Sequence, residues 1–215
     1  MRGLFITFEG TEGSGKSTQI SLLAQCLRAM GRHVWTLREP GGTPIGEEIR
    51  HTLKHSAANH AMTAEAELLL MNASRAQLVR EIIRPALAGG GIVLCDRFYD
   101  STMAYQGYGR ELNLKMVKDI IDVAVGETRP DLTLLLLVPP EVSEARRLAR
   151  QTTLALHLQR DRFEEADRSF FERVAQGYHA IAAAEPQRVK TIEATGQVEA
   201  ITADIWRAVE PLLSH

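Results

Sequence analysis

Cysteine is nearly absent from this chain, whose 215 residues contain only Cys26 and Cys95. The two lie in the interiors of a predicted helix and a predicted strand. We therefore expect buried thiols rather than a disulfide framework or a metal-binding pair. Reduced thiols are typical of proteins in a reducing compartment, so the expected setting is the cytoplasm.

Long apolar segments are also lacking. The longest nearly uniform run, residues 132–140, is far shorter than the ~20 residues of a membrane-spanning helix. The first residues enter a strand-like pattern without the features of a signal peptide. Repeats and low-complexity tracts are absent. We expect no membrane partner and a single domain over residues 1–215.

Neither sign of charge is in excess, because 25 Lys and Arg residues stand against 27 Asp and Glu residues. The formal net charge is −2 at pH 7. A global field that attracts nucleic acid requires a strongly basic balance, so we expect no nucleic acid partner.

The chain does contain a glycine-rich segment, residues 10–17 (GTEGSGKS), between an apolar strand pattern and a helical pattern. This context makes G-x-x-x-x-G-K-[ST] a phosphate-binding loop, because glycines let successive backbone N–H groups face phosphate oxygens. Lys16 supplies a charge for the β- and γ-phosphates, and Ser17 a hydroxyl for Mg²⁺. A turn that binds nothing is disfavoured, because every fixed position matches. The predicted ATP-binding residues are Gly10, Thr11, Glu12, Gly13, Ser14, Gly15, Lys16, Ser17 and Thr18.

Five apolar segments alternate with longer helical ones, a pattern typical of a parallel sheet wrapped by helices. The predicted strands are 4–8, 33–37, 92–95, 132–138 and 188–192. We predict the α/β fold of P-loop NTPases, with a five-stranded parallel sheet, helices on both faces and a small lid. Ligands in such folds bind at the carboxyl ends of the strands.

Thr43 and Pro44 after the second strand are typical of a helix start. The helix carries Ile45, Ile49 and Leu53 on one face. Arg50 beside them is either solvated or part of a site.

A long helix is predicted from Thr63 to about Ala88, with a core stripe of Leu68, Leu69, Leu78, Ile82 and Ile83. Met71 and Arg75 are four residues apart and share a face. An arginine in an apolar stretch requires an anion or a polar partner. Ligand contact and an intramolecular ion pair both remain open for Arg75.

Asp96 and Arg97 close the third strand. Asp96 has the position of a carboxylate that holds Mg²⁺, although a cap is the alternative. Arg97 beside it indicates a second anion, such as an acceptor phosphate. Thr102, Tyr105 and Gln106 then share one helical face. Their hydroxyl, phenol and amide groups could contact a sugar and the edge of a base. The alternative is an ordinary exposed polar face.

Arginines are frequent after the fourth strand. Residues 147–163 are either part of a solvated helix pair or a lid whose arginines close on the transferred phosphate. The candidates are Arg150, Arg160 and Arg162.

An ordered set of motifs resembles the bacterial thymidylate kinase family over essentially the whole chain. The segments that carry the resemblance are 8–17 (FEGTEGSGKS), 38–43 (REPGGT), 74–77 (SRAQ), 96–98 (DRF) with Ser101, 104–107 (AYQG) and 161–164 (DRFE). The resemblance implies phosphorylation of dTMP to dTDP with ATP and Mg²⁺, in dTTP biosynthesis, by a homodimer.

The resemblance also implies residue roles. Lys16 and a lid arginine would act on the transferred phosphate, and Glu12 would lie near the sugar 3′-hydroxyl. Arg97 and Arg50 would bind the acceptor phosphate. Arg75 would hydrogen-bond thymine, with Thr102 and Gln106 beside it. Tyr105 would crowd the 2′ position.

Two features depart from the family pattern. Met71 stands where the family usually presents a phenylalanine that stacks on thymine, and a thioether can still pack on an aromatic face. The lid segment is longer and more apolar than expected, with His157 where an arginine often stands.

Two rival functions follow from the same loop. A kinase for another nucleoside monophosphate remains possible because of Met71. A nucleotide-dependent switch is disfavoured, because the chain lacks N-K-x-D and has no D-x-x-G after the Asp96 strand.

Overall fold

The computed structural model describes residues 3–153 and 167–214, with the side chains of residues 57, 147, 148, 150–153 and 214 outside that description. Its strands form the predicted parallel sheet, in the order β2-β3-β1-β4-β5. In chain order the strands are β1 (Leu4–Glu9), β2 (Val34–Arg38), β3 (Ile92–Asp96), β4 (Leu132–Leu137) and β5 (Val189–Glu193). Each predicted strand is confirmed to within one residue at either end.

Helices cover both faces of the sheet. Within the described residues they are α1 (Lys16–Ala29), α2 (Pro44–Lys54), α3 (Ala64–Leu78), α4 (Arg84–Ala88), α5 (Tyr99–Thr102), α6 (Leu114–Val125), α7 (Pro140–Thr153), α8 (Arg168–Ala184) and α9 (Val198–Val209). A π-helical turn, Val79–Ile83, joins α3 to α4, so the long helix predicted from residue 63 is not uniformly α-helical. A second π-helical segment, Met103–Gly109, follows α5.

The core lies on both sides of the central strand, because successive side chains of a strand point to opposite faces. Phe8 packs in one cluster with Leu23 of α1 and Ile205 of α9. Phe5 packs in a second cluster with Leu68 of α3. These layers hold the carboxyl ends of β1, β3 and β4 at one edge of the sheet, where a ligand can reach them.

The start of α2 is as predicted. The Thr43 hydroxyl accepts a hydrogen bond of 3.0 Å from the backbone N–H of Gly46, and Pro44 is the first helical residue. The fixed φ of proline and the capping hydroxyl both favour a helix start here. The helix carries Arg50 to the edge of the sheet.

Two predicted core positions are wrong. Cys26 is exposed, whereas Cys95 is buried as predicted. Leu69 is 55% exposed. Neighbouring helical residues are about 100° apart, so an apolar residue beside a buried one can face outward. Leu27 and Leu68 are buried, and their neighbours Cys26 and Leu69 are not.

Residues 154–163 of the predicted lid, with Arg160 and Arg162, lie outside the described residues, and so does the side chain of Arg150. In the part of the chain that the structure describes, no helix has the length and apolarity to cross a membrane.

Candidate active site

A cavity of about 1190 Å³ opens at the carboxyl ends of the strands. This volume exceeds the ~300–1,000 Å³ of ordinary small-molecule sites, so it has room for more than one small ligand. The predicted site residues that line it are Gly10, Thr11, Glu12, Gly13, Gly15, Lys16, Ser17, Thr18, Arg50, Met71, Arg75, Asp96, Arg97, Thr102, Tyr105 and Gln106. The structure thus brings together residues from widely separated segments.

The glycine loop curls around the side chain of Lys16. Gly15 has a φ of 93°, a left-handed conformation that glycine adopts readily, and α1 begins at the next residue. The Lys16 ammonium donates hydrogen bonds to the carbonyl oxygens of Gly10 and Thr11, at 3.0 and 2.9 Å. It also lies 3.4 Å from the hydroxyl of buried Ser14. Burial, together with the nearby Arg97 guanidinium, lowers the pKa of Lys16 to about 7.

Ser17 and Asp96 meet beside the loop. The Ser17 hydroxyl donates a 3.2 Å hydrogen bond to a carboxylate oxygen of Asp96. Mg²⁺ in nucleotide sites is usually held by one or two protein oxygens together with phosphates and water, so this pair fits such an ion. Within residues 3–153 and 167–214, no group of three or more His, Cys, Asp and Glu side chains could hold a metal ion.

Arg97 follows β3 with a φ of 69°, which is uncommon for a residue other than glycine. Its guanidinium donates to the hydroxyls of Ser101 and Tyr178, at 2.9 and 3.2 Å. It also lies 3.3 Å from the Tyr105 hydroxyl and over that ring. Strained backbone tends to occur at functional sites. The three hydroxyls hold the cation at the wall of the cavity.

A buried carboxylate, Glu9, lies behind Arg97. It accepts hydrogen bonds from the Ser101 hydroxyl at 2.5 Å and the Tyr178 hydroxyl at 2.9 Å. The backbone N–H of Phe98 donates to it as well, at 2.8 Å. Burial, with a contribution from the charge of Asp100, raises the pKa of Glu9 to about 7.

Arg75 forms an intramolecular ion pair, one of the two alternatives that the sequence left open. Its guanidinium lies 2.7 Å from the carboxylate of Glu39, with both side chains nearly fully buried. It also donates to Asn72 at 2.9 Å and to the carbonyl of Phe98 at 3.2 Å. Burial raises the pKa of Glu39, although the attraction of Arg75 opposes this shift. Arg75 still borders the cavity, so the ion pair does not remove it from the site.

Four further predicted residues border the same cavity. Arg50 donates a 2.8 Å hydrogen bond to the carbonyl of Pro40, and Met71 is half-buried. Thr102 and Gln106 are buried on α5 and the π-helical segment.

Several residues at the site were not among the sequence predictions. The sequence around Glu9 and Tyr178 does not indicate that these two side chains contact each other. Glu9 belongs to a segment that carries the family resemblance, and Tyr178 does not. Arg146 of α7 lies in the arginine-rich region after β4 but was not predicted as a site residue. It donates to the carbonyl of Ala194 at 2.9 Å and borders the cavity near Gly13.

The parallel sheet and the phosphate loop after its central strand define a P-loop nucleotide-binding protein. Comparison with known proteins narrows the class. The family model described as thymidylate kinase matches residues 8–205. The thymidylate kinase of Syntrophotalea carbinolica is 48% identical over 202 residues, which cover 94% of this chain and 93% of the relative. That of Chlorobium luteolum is 48% identical over 208 residues, or 96% of each chain.

A solved structure agrees with the sequence comparisons. The crystal structure of thymidylate kinase from Ehrlichia chaffeensis superposes with a TM-score of 0.76 and 31% identity, covering 98% of this chain and 99% of the other. The chain therefore belongs to the thymidylate kinase family.

Proposed function

We propose that this protein transfers the γ-phosphoryl group of ATP to dTMP, giving ADP and dTDP for dTTP biosynthesis. One observation carries the proposal beyond family membership. A single cavity extends from the phosphate loop at Lys16, past Arg97, to the polar side chains at Arg75 and Gln106. Two phosphate-bearing ligands can therefore meet with their anions at Arg97.

The loop end suits the donor. Lys16 makes its hydrogen bonds to loop carbonyls, and an ATP phosphate offers stronger, charge-assisted acceptors. The backbone N–H groups of residues 10–18 and the N-terminus of α1 favour the same anion. Ser17 and Asp96 would hold Mg²⁺, which neutralises phosphate charge when bound.

The other end suits the acceptor. Arg97 and Arg50 would bind its 5′-phosphate, and Glu12 would lie near its 3′-hydroxyl. Met71, Arg75, Thr102 and Gln106 would surround thymine, while Tyr105 would crowd a 2′-hydroxyl. Arg97 is already held by three hydroxyl groups, so little side-chain entropy remains to be lost when it binds phosphate.

In the reaction, an oxygen of the dTMP phosphate forms a bond to the γ-phosphorus of ATP. The bond from that phosphorus to the β–γ bridging oxygen breaks, and the electron pair leaves with ADP. The attacking oxygen is already ionised, so no strong general base is needed. Lys16 and Arg97 contribute by positioning and by stabilising negative charge.

The proposal includes a lid over residues 147–163, from which Arg150, Arg160 or Arg162 would reach the transferred phosphate and exclude water. It also includes a single kinase domain over residues 1–215, a homodimer and a cytoplasmic setting. Leu69 of α3, exposed in the monomer, is compatible with an interface on that helix face.

The experiment is ADP production from ATP and Mg²⁺ with dTMP, dUMP, dCMP, dGMP, AMP or UMP as acceptor. We expect dTMP to exceed every other acceptor. Equal rates with dUMP would mean that Met71 does not secure the thymine preference. No stimulation by any acceptor would reject the kinase function and favour a hydrolytic switch.

A further inference from the structure

A buried carboxylate lies beside the acceptor end of the cavity and has no role in the proposed chemistry. Glu67 of α3 is fully buried, yet its side chain carries a charge that must be compensated. One carboxylate oxygen accepts a 2.8 Å hydrogen bond from the amide nitrogen of Gln106. The Arg110 guanidinium lies 3.1 Å from the other oxygen, and the side chain of Arg110 is 22% exposed.

This contact determines how the Gln106 amide is oriented. An ionised carboxylate can only accept hydrogen bonds, so the –NH₂ group of Gln106 must face Glu67. Arg110 supplies the buried carboxylate with a counterion at 3.1 Å. The carbonyl oxygen of the amide is then the group that Gln106 can offer to a ligand in the cavity.

The same face of α3 carries the other groups at this end. Glu67, Met71 and Arg75 are spaced by four residues and therefore lie along one helical face. Arg75 can only donate hydrogen bonds, and Glu39 holds it in place. The pocket thus presents a donor at Arg75 and an acceptor at Gln106.

We propose that Glu67, with Arg110, is a positioning residue that selects the base through the Gln106 amide. The inference rests on the proposed function, because it concerns the acceptor of that reaction. A 4-oxo pyrimidine carries a carbonyl next to a ring N–H, which complements a donor and an acceptor. Cytosine carries an amino group next to a ring nitrogen without hydrogen. Its amino donor would face the donor Arg75, and its ring nitrogen, an acceptor, would face the carbonyl of Gln106.

The test measures steady-state kinetics of Glu67→Gln with dTMP, dUMP and dCMP. A glutamine at this position can donate as well as accept hydrogen bonds. The side-chain amide of Gln106 can therefore flip by 180°, which exchanges its oxygen and its –NH₂ group. We expect the KM for dTMP to rise by at least about tenfold and the preference for dTMP over dCMP to fall by about tenfold or more. The kcat and the KM for ATP should stay within about twofold. Glu65→Gln, on the exposed side of the same helix, is the matched control and should change none of these values.

A reciprocal exchange separates positioning from a merely structural role. In the double variant Glu67→Gln/Gln106→Glu, the new carboxylate again offers an acceptor to the base, so the discrimination against dCMP should recover. If Glu67→Gln does not fold, Glu67→Asp draws the carboxylate away from Gln106 and carries the same expectation.

Unchanged discrimination in a folded Glu67 variant, or equal losses with all three acceptors and with ATP, would overturn the inference. Failure of the parent protein to phosphorylate dTMP would instead reject the proposed function. The two failures are therefore distinguishable in one set of assays.

Discussion

Arg75 and Glu39 form a buried ion pair with a separation of 2.7 Å, although they lie on different segments of the chain. Both side chains are at most 3% exposed. One oxygen of the Glu39 carboxylate is buried with no hydrogen-bond partner among the described residues. Desolvation of two charges is costly, so this pair depends on both members being present.

Removal of Arg75 should therefore destabilise the fold as well as affect binding. We expect Arg75→Ala to lower the free energy of unfolding by about 3–5 kcal/mol, because it leaves Glu39 buried without its counterion. Urea denaturation measures the change. The double variant Arg75→Met/Glu39→Gln should recover part of the loss, since it removes both charges. A double variant no more stable than Arg75→Ala would contradict this account.

Arg97 should matter for catalysis more than for stability. We expect Arg97→Ala to lower kcat/KM for dTMP by at least about 10²-fold, or about 2.7 kcal/mol of transition-state stabilisation. The control is Arg207→Ala, which removes an exposed arginine of α9. Activity of Arg97→Ala within threefold of the parent protein would remove this residue from the mechanism.

Lys16 should make ATP binding depend on pH. Its pKa is about 7 in the free protein, and the negative charge of ATP must raise it in the complex. Binding therefore takes up a proton above pH 7, and affinity is lost as pH rises through that region. We expect the Kd for ATP to increase by up to roughly tenfold per pH unit above pH 7.

Calorimetry in buffers of different ionisation enthalpy measures this proton uptake directly. Lys16→Met cannot titrate, so its weaker binding should lack the added dependence on pH. The same slope in both proteins would assign the proton to another group.

Glu9 should make stability fall with rising pH. Its folded-state pKa of about 7 lies above the ordinary value of 4.5, so the folded protein binds a proton that the unfolded chain has released. Between these values stability decreases as pH rises, by about 3 kcal/mol in total. In Glu9→Gln this contribution should disappear. The free energy of unfolding in urea, measured at pH 5 and pH 7.5, tests this prediction. The same change between the two pH values in the parent protein and in Glu9→Gln would contradict it.

Much of the fold is determined by local sequence. Strands β1, β3 and β4 are short apolar segments, which local sequence alone indicates. Strands β2 and β5 contain only two or three apolar residues each, yet their position between helical segments still allowed their prediction. Thr43 and Pro44 specify the start of α2 through groups within three residues. The errors at Cys26 and Leu69 arose where apolar residues are adjacent, because composition alone does not show which neighbour faces the core.

The site also has a part that local sequence specifies and a part that it does not. The sequence by itself determined the phosphate loop, because glycine conformations, the lysine charge and the serine hydroxyl are properties of one continuous segment. Only the tertiary structure decided the partners of buried charges. Tyr178 and Glu9 are 169 residues apart, and Gln106 and Glu67 are 39 apart. A buried charge must find a partner, but packing of distant segments decides which one, and no local pattern encodes that choice.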